Sequence, residues 1–418
     1  MKEAMEDNTT VPTLFDYRDV VGPDIIEELT LLASHVDNRS IKMVNSTAVG
    51  GGVAEMLRRV VPLLNELGVR TSWDVIEGNE PFFEITKRFH NALQGQEDDF
   101  KKSDFETYMS NNEKNNKKMD FGEDLIVIHD PQPAALIQWR KKWKNRWVWR
   151  CHIDLSHPNE QLWGFLKPYV EKYDAAIFSS ALFSPEMSIP QYRFYPAIDP
   201  LDDKNRDLGN AYVEKVFAKY DIPRDKPIVT QISRYDPWKD PVGVVRAFKM
   251  AKKYVACRLL LVGDKAADDP ESDKILTKVR EEAGKDPDIH ILLFSPSIAA
   301  EINAFQRGSD IILQKSIREG FALTVAEALW KRRAVIGGAA GGIPAQIIDR
   351  YTGLLVYSVE GASLGIRRLL NQKDFAGELG ENGHQRVKGE FLITKNLKRY
   401  LLLLLALGKT KEGDLFLT

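Results

Sequence analysis

"SIKMVNSTAVGGGVAEMLRRVVPLLNEL", residues 40–67, contains a change of period that decides how the chain folds. The first eight residues form a short run with β-branched members, and Gly50, Gly51 and Gly52 follow. After them Val53, Met56, Leu57, Val60, Val61 and Leu64 recur at three- and four-residue spacing. The pattern predicts a strand, a tight turn and an amphipathic helix. Pro62 stands inside the helical pattern and is expected to kink or interrupt it, having no N–H to donate.

Outward from this stretch the same rhythm repeats. "TSWDVI" (71–76), "LIVIHD" (125–130), "WVWRCHID" (147–154) and "AAIFSS" (175–180) read as buried strands with helical segments between them. The pattern restarts after "YPAIDPLDD" (195–203), where Pro196, Pro200 and neighbouring acids look like a linker. "IVTQIS" (228–233), "RLLLVG" (258–263), "IHILLF" (289–294), "DIILQ" (310–314) and "RAVIGG" (333–338) follow. Alternating strands and helices predict α/β units with doubly wound sheets. At 418 residues, two such units in succession are expected. Residues 95–122 are polar and Asn-rich and read as solvated helix and loop.

Composition narrows the function classes. Hydrophobic residues make up 43% and charged residues 28%, as in a water-soluble globular chain. A formal net charge of -2 provides no field to draw the chain to nucleic acid or a membrane. Cys151 and Cys257 show no CxxC spacing, so neither a disulfide framework nor a zinc site is expected. The run "YLLLLLALG" (400–408) falls short of the ~20 apolar residues that cross a bilayer. No apolar leader stands at "MKEAMEDNTT", and a cytoplasmic location is the expectation.

Open α/β sheets bind ligands beyond the carboxyl ends of their strands, so the turns there carry the candidates. Gly51 and Gly52 precede a helix start and would let a backbone approach an anion, or would simply make a tight turn. Arg234 and Lys239 in "SRYDPWKDP" suit a diphosphate, although two basic residues in a loop are commonly just solvated. In "SIREGFALTVAEALW" (316–330) the N–H groups of Gly320, Phe321, Ala322 and Leu323 would open a helix toward an anion. Glu319 precedes that turn and Glu327 lies within the helix, and both can face one cleft. His129-Asp130 and His152-Asp154 stand where strands run out. The one DxD, Asp286-Pro287-Asp288, precedes a strand and reads as a turn, and no metal-ligand spacing of histidines occurs.

These features occur together in "GGGVAEML", "SRYDPWKDP", "LLLVGD", "REGFALTVAEAL" and "AVIGGAAGGIPAQIIDRYTGLLV". The set resembles the retaining glycosyltransferases of family 4, built on the GT-B architecture of two facing Rossmann-like domains. Within that family "VIHDPQPAALI", "WRCHIDLSHPN" and "SIREGFALTVAEALW" look closest to the trehalose-forming, glycosyltransferring branch.

The resemblance implies a donor domain over 199–392 and an acceptor domain over 1–198, onto which a C-terminal helix of about 393–418 packs back. It implies that Arg234 and Lys239 hold the donor diphosphate with Gly51 and Gly52. Glu319 would contact the donor sugar, Glu327 the ribose, and His152 the reaction centre, with Asp130 and Asp154 on the acceptor side. The substrates would be a nucleotide-glucose and glucose, with no cofactor or metal, no nucleic-acid or membrane partner, and room for a homodimer. Two departures from the family's pattern stand out: Ala322 replaces a glycine, with little expected effect unless positive φ is needed, and Asp240 replaces another. A trehalose phosphorylase using glucose 1-phosphate, another family 4 transferase such as a sucrose-forming one, and a non-catalytic sugar-nucleotide sensor are the alternatives. A dinucleotide oxidoreductase is disfavoured because no GxGxxG follows a strand.

Overall fold

The computed structural model describes residues 12–36, 38–49, 52–141, 145–264, 270–294 and 298–408. Two six-stranded, all-parallel sheets form the frame. The first contains β1 (Ser40–Asn45), β2 (Arg70–Val75), β3 (Leu125–His129), β4 (Arg146–Cys151), β5 (Ala175–Phe178) and β6 (Gln191–Arg193), in the order β2-β1-β3-β4-β5-β6. The second contains β7 (Ile228–Ile232), β8 (Arg258–Asp264), β9 (Ile289–Phe294), β10 (Ile311–Gln314), β11 (Ala334–Gly338) and β12 (Leu354–Val356), in the order β12-β11-β10-β7-β8-β9. Winding reverses between β1 and β3 in one sheet and between β7 and β10 in the other. Those are the switch points where a crevice opens.

Both faces of each sheet are covered, which is why the central strands read as unbroken apolar runs. Along β3, Ile126 and Ile128 join Phe82, Phe89, Trp147 and Trp149 on one face. Leu125 and Val127 join Leu57, Val60 and Leu64 of helix Gly52–Glu66 on the other.

Two expectations about local structure change. Helix Gly52–Glu66 runs through Pro62 and is not interrupted there. Burying Leu57, Val60, Leu63 and Leu64, at roughly 1.5–3 kcal/mol each, outweighs the ~3 kcal/mol cost of an internal proline. The Asn-rich segment is not merely solvated. Its helix Lys102–Lys118 buries Tyr108, Asn112 and Asn115. Tyr108 donates to the Pro131 carbonyl at 2.7 Å and Asn112 to that of Gln132 at 3.1 Å, so the helix braces the turn after β3.

The chain passes between the units twice, side by side. Ile198 N–H donates to Phe391 O at 2.8 Å, and Ile393 N–H donates to Ile198 O at 3.0 Å. Helix Ile393–Gly408 then lies against helices Pro23–Ser34 and Gly52–Glu66, burying Leu397, Tyr400, Leu401, Leu403 and Leu404 in the first unit's core. Residues 409–418 lie outside the described residues. No helix of the described residues is long and apolar enough to cross a membrane. Asp286 and Asp288 sit in the turn before β9, where Asp288 pairs with Lys226 at 2.7 Å and Lys252 at 2.6 Å.

Candidate active site

The turns after β7 and β10 are neighbours because those strands pair. Across them Lys239 Nζ meets Glu319 Oε2 at 2.6 Å. Ser316 Oγ donates to the same oxygen at 3.0 Å, and Gly320 N–H donates to Oε1 at 3.1 Å. Ile317 N–H donates to Trp238 O at 2.8 Å, and Lys315 pairs with Asp240. Asp240 adopts φ +47 and caps helix Pro241–Lys252 by accepting Gly243 N–H at 3.0 Å. A left-handed residue is what glycine would supply there, and the cap is what Asp adds.

Gly341 and Gly342 back this turn. Gly341 has φ +55, and a Cβ on it would lie 1.6 Å from Glu319 O. Gly342 N–H donates to Gly320 O at 2.9 Å. Only glycine permits this approach, so the "GGIP" loop fixes where Glu319 stands. Arg234 shares the turn after β7 but is largely exposed, and it pairs with Asp236 at 3.4 Å.

Ala322 N-caps helix Leu323–Trp330 with φ +66 and ψ +70. The condition under which its replacement of glycine matters is therefore met. A left-handed L-residue costs roughly 1–2 kcal/mol, and the buried packing of Phe321 and Val325 on either side holds it there. The first N–H groups of this helix have no intrahelical acceptor and suit an anion.

Glu327 departs from the expected shared cleft. It is buried, accepts from Gln306 Nε2 at 3.4 Å, and lies within the fields of Lys331 and Lys204. Burial raises its pKa against those cations, and burial likewise lowers that of Lys331, which donates to Asn205 Oδ1 at 2.9 Å. Among the described residues Glu319 and Glu327 therefore share no partner.

In the first unit β3 and β4 end together, and two histidines meet. His129 Nδ1 and His152 Nε2 are 3.0 Å apart, with rings stacked at a 5.3 Å centroid distance. Asp130, at φ +65, accepts His152 N–H on Oδ1 at 2.9 Å. Burial holds both imidazoles well below their ordinary pKa and pushes the Asp130 carboxyl up to about 6. Asp154 turns into its own loop and accepts Ser156 N–H at 2.8 Å.

A cavity of about 440 Å³ joins the two units. Asp130, His152 and His90 line one side with Asn45, Thr47 and Gly52, while Phe321, Ala322 and Leu323 line the other. Gly51 lies outside the described residues. Arg234, Lys239, Glu319, Glu327 and Asp154 are not in this lining. His90 escaped sequence reading because it is one of several polar residues on an amphipathic helix, Glu80–Leu93, with no motif to mark it.

Two known families match the chain. The N-terminal domain of trehalose synthase matches residues 43–185, and glycosyl transferases group 1 match residues 213–386. A trehalose synthase of Thermococcus litoralis is 44% identical over 402 residues, covering 94% of this chain and 96% of that protein. One of Rubrobacter xylanophilus is 39% identical, covering 92% and 94%. A trehalose phosphorylase of Pleurotus pulmonarius is 28% identical over 82% of this chain and 54% of its own length. Among solved structures, an α,α-trehalose-phosphate synthase (UDP-forming) from Burkholderia xenovorans superposes with a TM-score of 0.68 at 14% identity, covering 88% of this chain and all of that one.

Proposed function

Because the chain belongs to the trehalose synthase family of GT-B hexosyltransferases, we propose that it forms trehalose by moving glucose from a nucleoside-diphosphate-glucose to free glucose, with retention at the anomeric carbon. One observation carries the reading beyond similarity. The cavity between the units sets His152 and Asp130 opposite the start of helix Leu323–Trp330, which supports a sugar on the polar wall and an anion at the helix start.

In this reading the diphosphate lies at the helix start, and its new charge on departure is met by those N–H groups, Lys239 and Arg234. Such preorganised donors act where charge develops, so they favour the transition state over the bound donor. Glu319, held by Lys239 and Ser316, fixes the donor glucose, and His152 bonds its hydroxyls. The acceptor hydroxyl attacks from the face the diphosphate leaves, and the departing phosphate oxygen takes its proton. The C1–O bond to phosphate breaks as the bond to the acceptor oxygen forms, and no protein nucleophile enters. Protein cations neutralise the diphosphate, so activity is expected to survive a chelator.

The placement of Glu327 favours a second reading. It is buried behind Gln306 rather than lining the cavity, an arrangement that a donor without ribose would tolerate. The test incubates the protein with glucose and either ADP-, UDP- or GDP-glucose, or glucose 1-phosphate, and measures trehalose. Product from glucose 1-phosphate alone would sink the nucleotide-sugar reading. Activity lost to EDTA and restored by a divalent ion would sink the metal-free one.

A further inference from the structure

One face of the first sheet carries a line of polar groups through an apolar layer. β3 and β4 run in register with His129 opposite Arg150. Alternation puts Arg150 on the same face as Val148, toward helix Ile393–Gly408. Arg150 is 1% exposed there. Its Nη1 donates to the Tyr400 hydroxyl, its guanidinium carbon lies 5.5 Å from the Tyr400 ring centre and 5.8 Å from that of Phe194, and Nη2 has no partner. Among the described residues no carboxylate forms an ion pair with it. A guanidinium does not give up its proton in a protein, so a fixed positive charge stands in a dry layer with no carboxylate of the described residues bonded to it, although its field reaches Asp130. Across the strand pair, His129 Nε2 is likewise buried without a hydrogen-bond partner among the described residues.

We propose that Arg150 is a positioning residue for the sugar site: its charge, across the strand pair from His129, keeps the His129–His152 pair neutral with the shared proton on His129 Nδ1. A 3.0 Å contact between two ring nitrogens needs one proton between them. Within the field of the Arg150 guanidinium, a bare lone pair on the unpartnered His129 Nε2 is favoured over an N–H, which places the His129 proton on Nδ1. That N–H donates to His152 Nε2, and His152 then carries its own proton on Nδ1 as a donor for a substrate hydroxyl. The inference rests on the reading in which His152 meets the reacting glucose.

The ionisable groups around the pair agree with this arrangement. Burial first and Arg150 second lower both histidines. Asp130 bonds the His152 backbone, Cys151 is buried on β4 within the fields of Asp130 and Asp154, and His90 shares the cavity lining. From beneath, Tyr400 receives Arg150, and the field of Arg399 reaches it.

The first measurement uses the unaltered protein: ¹⁵N-imidazole NMR of histidine-labelled chain, with His152→Asn for assignment. His152 is expected to show a protonated Nδ1 and a bare Nε2 with no titration down to about pH 5, against about 6.5 for a free imidazole. A protonated Nε2, or titration near pH 6.5, overturns the proposal. The second measurement is the pH profile of kcat. Arg150→Met should raise the acid limb by about one pH unit, since losing a neighbouring cation eases protonation. Arg150→Lys should restore the limb, and Tyr400→Phe, which keeps the charge, should leave it in place. If Arg150→Met and Tyr400→Phe lower the melting temperature alike and neither moves the limb, Arg150 only anchors the tail helix and the proposal fails. Should Arg150→Met not fold, the NMR result decides. The NMR needs no substrate, so absence of transfer from every nucleotide-glucose would count against the proposed function while leaving the tautomer result standing.

Discussion

Asp130→Asn is expected to stabilise the protein at neutral pH while weakening its use of the acceptor. The Asp130 carboxyl is partly buried on the cavity wall, and burial raises its pKa from 3.8 to about 6, only partly offset by the His152 N–H and Arg150. The sign follows from proton counting. Between those two values the folded chain holds a proton that the unfolded chain has released, so stability falls as pH rises through the window. Above about pH 6 the whole cost applies, about 3 kcal/mol at 1.36 kcal/mol per unit. Asn keeps the acceptor oxygen for His152 N–H and tolerates the left-handed backbone at φ +65. It never ionises, so its advantage should be about 3 kcal/mol at pH 7.5 and near zero below pH 4. Urea unfolding followed by tryptophan fluorescence at both pH values measures this. Trp149 is a local reporter, since its Nε1 donates to Asp130 O at 2.9 Å. A variant less stable than the parent at pH 7.5, or a gain equal at both pH values, would refute the reasoning.

Gly341→Ala should push the Glu319 turn away, because the new Cβ falls 1.6 Å from Glu319 O at φ +55; a displacement near 1 Å predicts a kcat loss of about 10²-fold, while Gly209→Ala, with open space around it, should leave kcat unchanged. Ala322→Gly should relieve about 1 kcal/mol of left-handed strain, and a destabilisation in urea unfolding would show that the alanine methyl group packs usefully. Lys239→Ala should cost several kcal/mol in kcat/KM by removing charge at the leaving group and releasing Glu319, and full activity would remove Lys239 from the site. Glu327→Gln should weaken apparent donor affinity by about 1.5–3 kcal/mol with little change in kcat if the carboxylate meets ribose, and an unchanged donor KM would favour a donor without ribose.

Ten of the twelve strands could be read from the sequence: eight are central parallel strands, buried on both faces and so largely apolar, and the edge strands β2 and β9 are six residues long with β-branched or aliphatic runs. The two that escaped, β6 and β12, are three residues long at sheet edges. "QYR" in β6 is polar and partly exposed, and no period can register over three residues. Pro62 misled because sequence shows the lost hydrogen bond but not the buried face that outweighs it. At the site, the turns after β1, β3, β7 and β10 were legible from glycine and charge following a strand. Arg150 was not, because one arginine inside "WVWRCHID" gives no sign of which neighbour it faces. That depends on β3–β4 register and on a helix 250 residues away.

Glu319 and Glu327 show how far spacing alone can carry an argument. Eight residues separate them, but the count runs through two conformations. Four steps carry the chain from Glu319 through left-handed Ala322 to Leu323, where the helix begins. Within the helix the relevant interval is Leu323 to Glu327, four residues, which returns to the same face about 6 Å further along. Leu323 lines the cavity, so Glu327 lies on the cavity's stripe, one turn deeper, and Lys331 lies one turn deeper again. What stands over Glu327 is the amide of Gln306, at 3.4 Å, near the outer limit for a hydrogen bond. A buried carboxylate with so weak a bond keeps most of its acceptor capacity, and two adjacent hydroxyls of a ribose would fill it better than Gln306 does. Burial off the cavity wall fits a donor without ribose, whereas free acceptor capacity one turn deeper fits the inner end of an extended donor site, and the donor KM of Glu327→Gln separates the two.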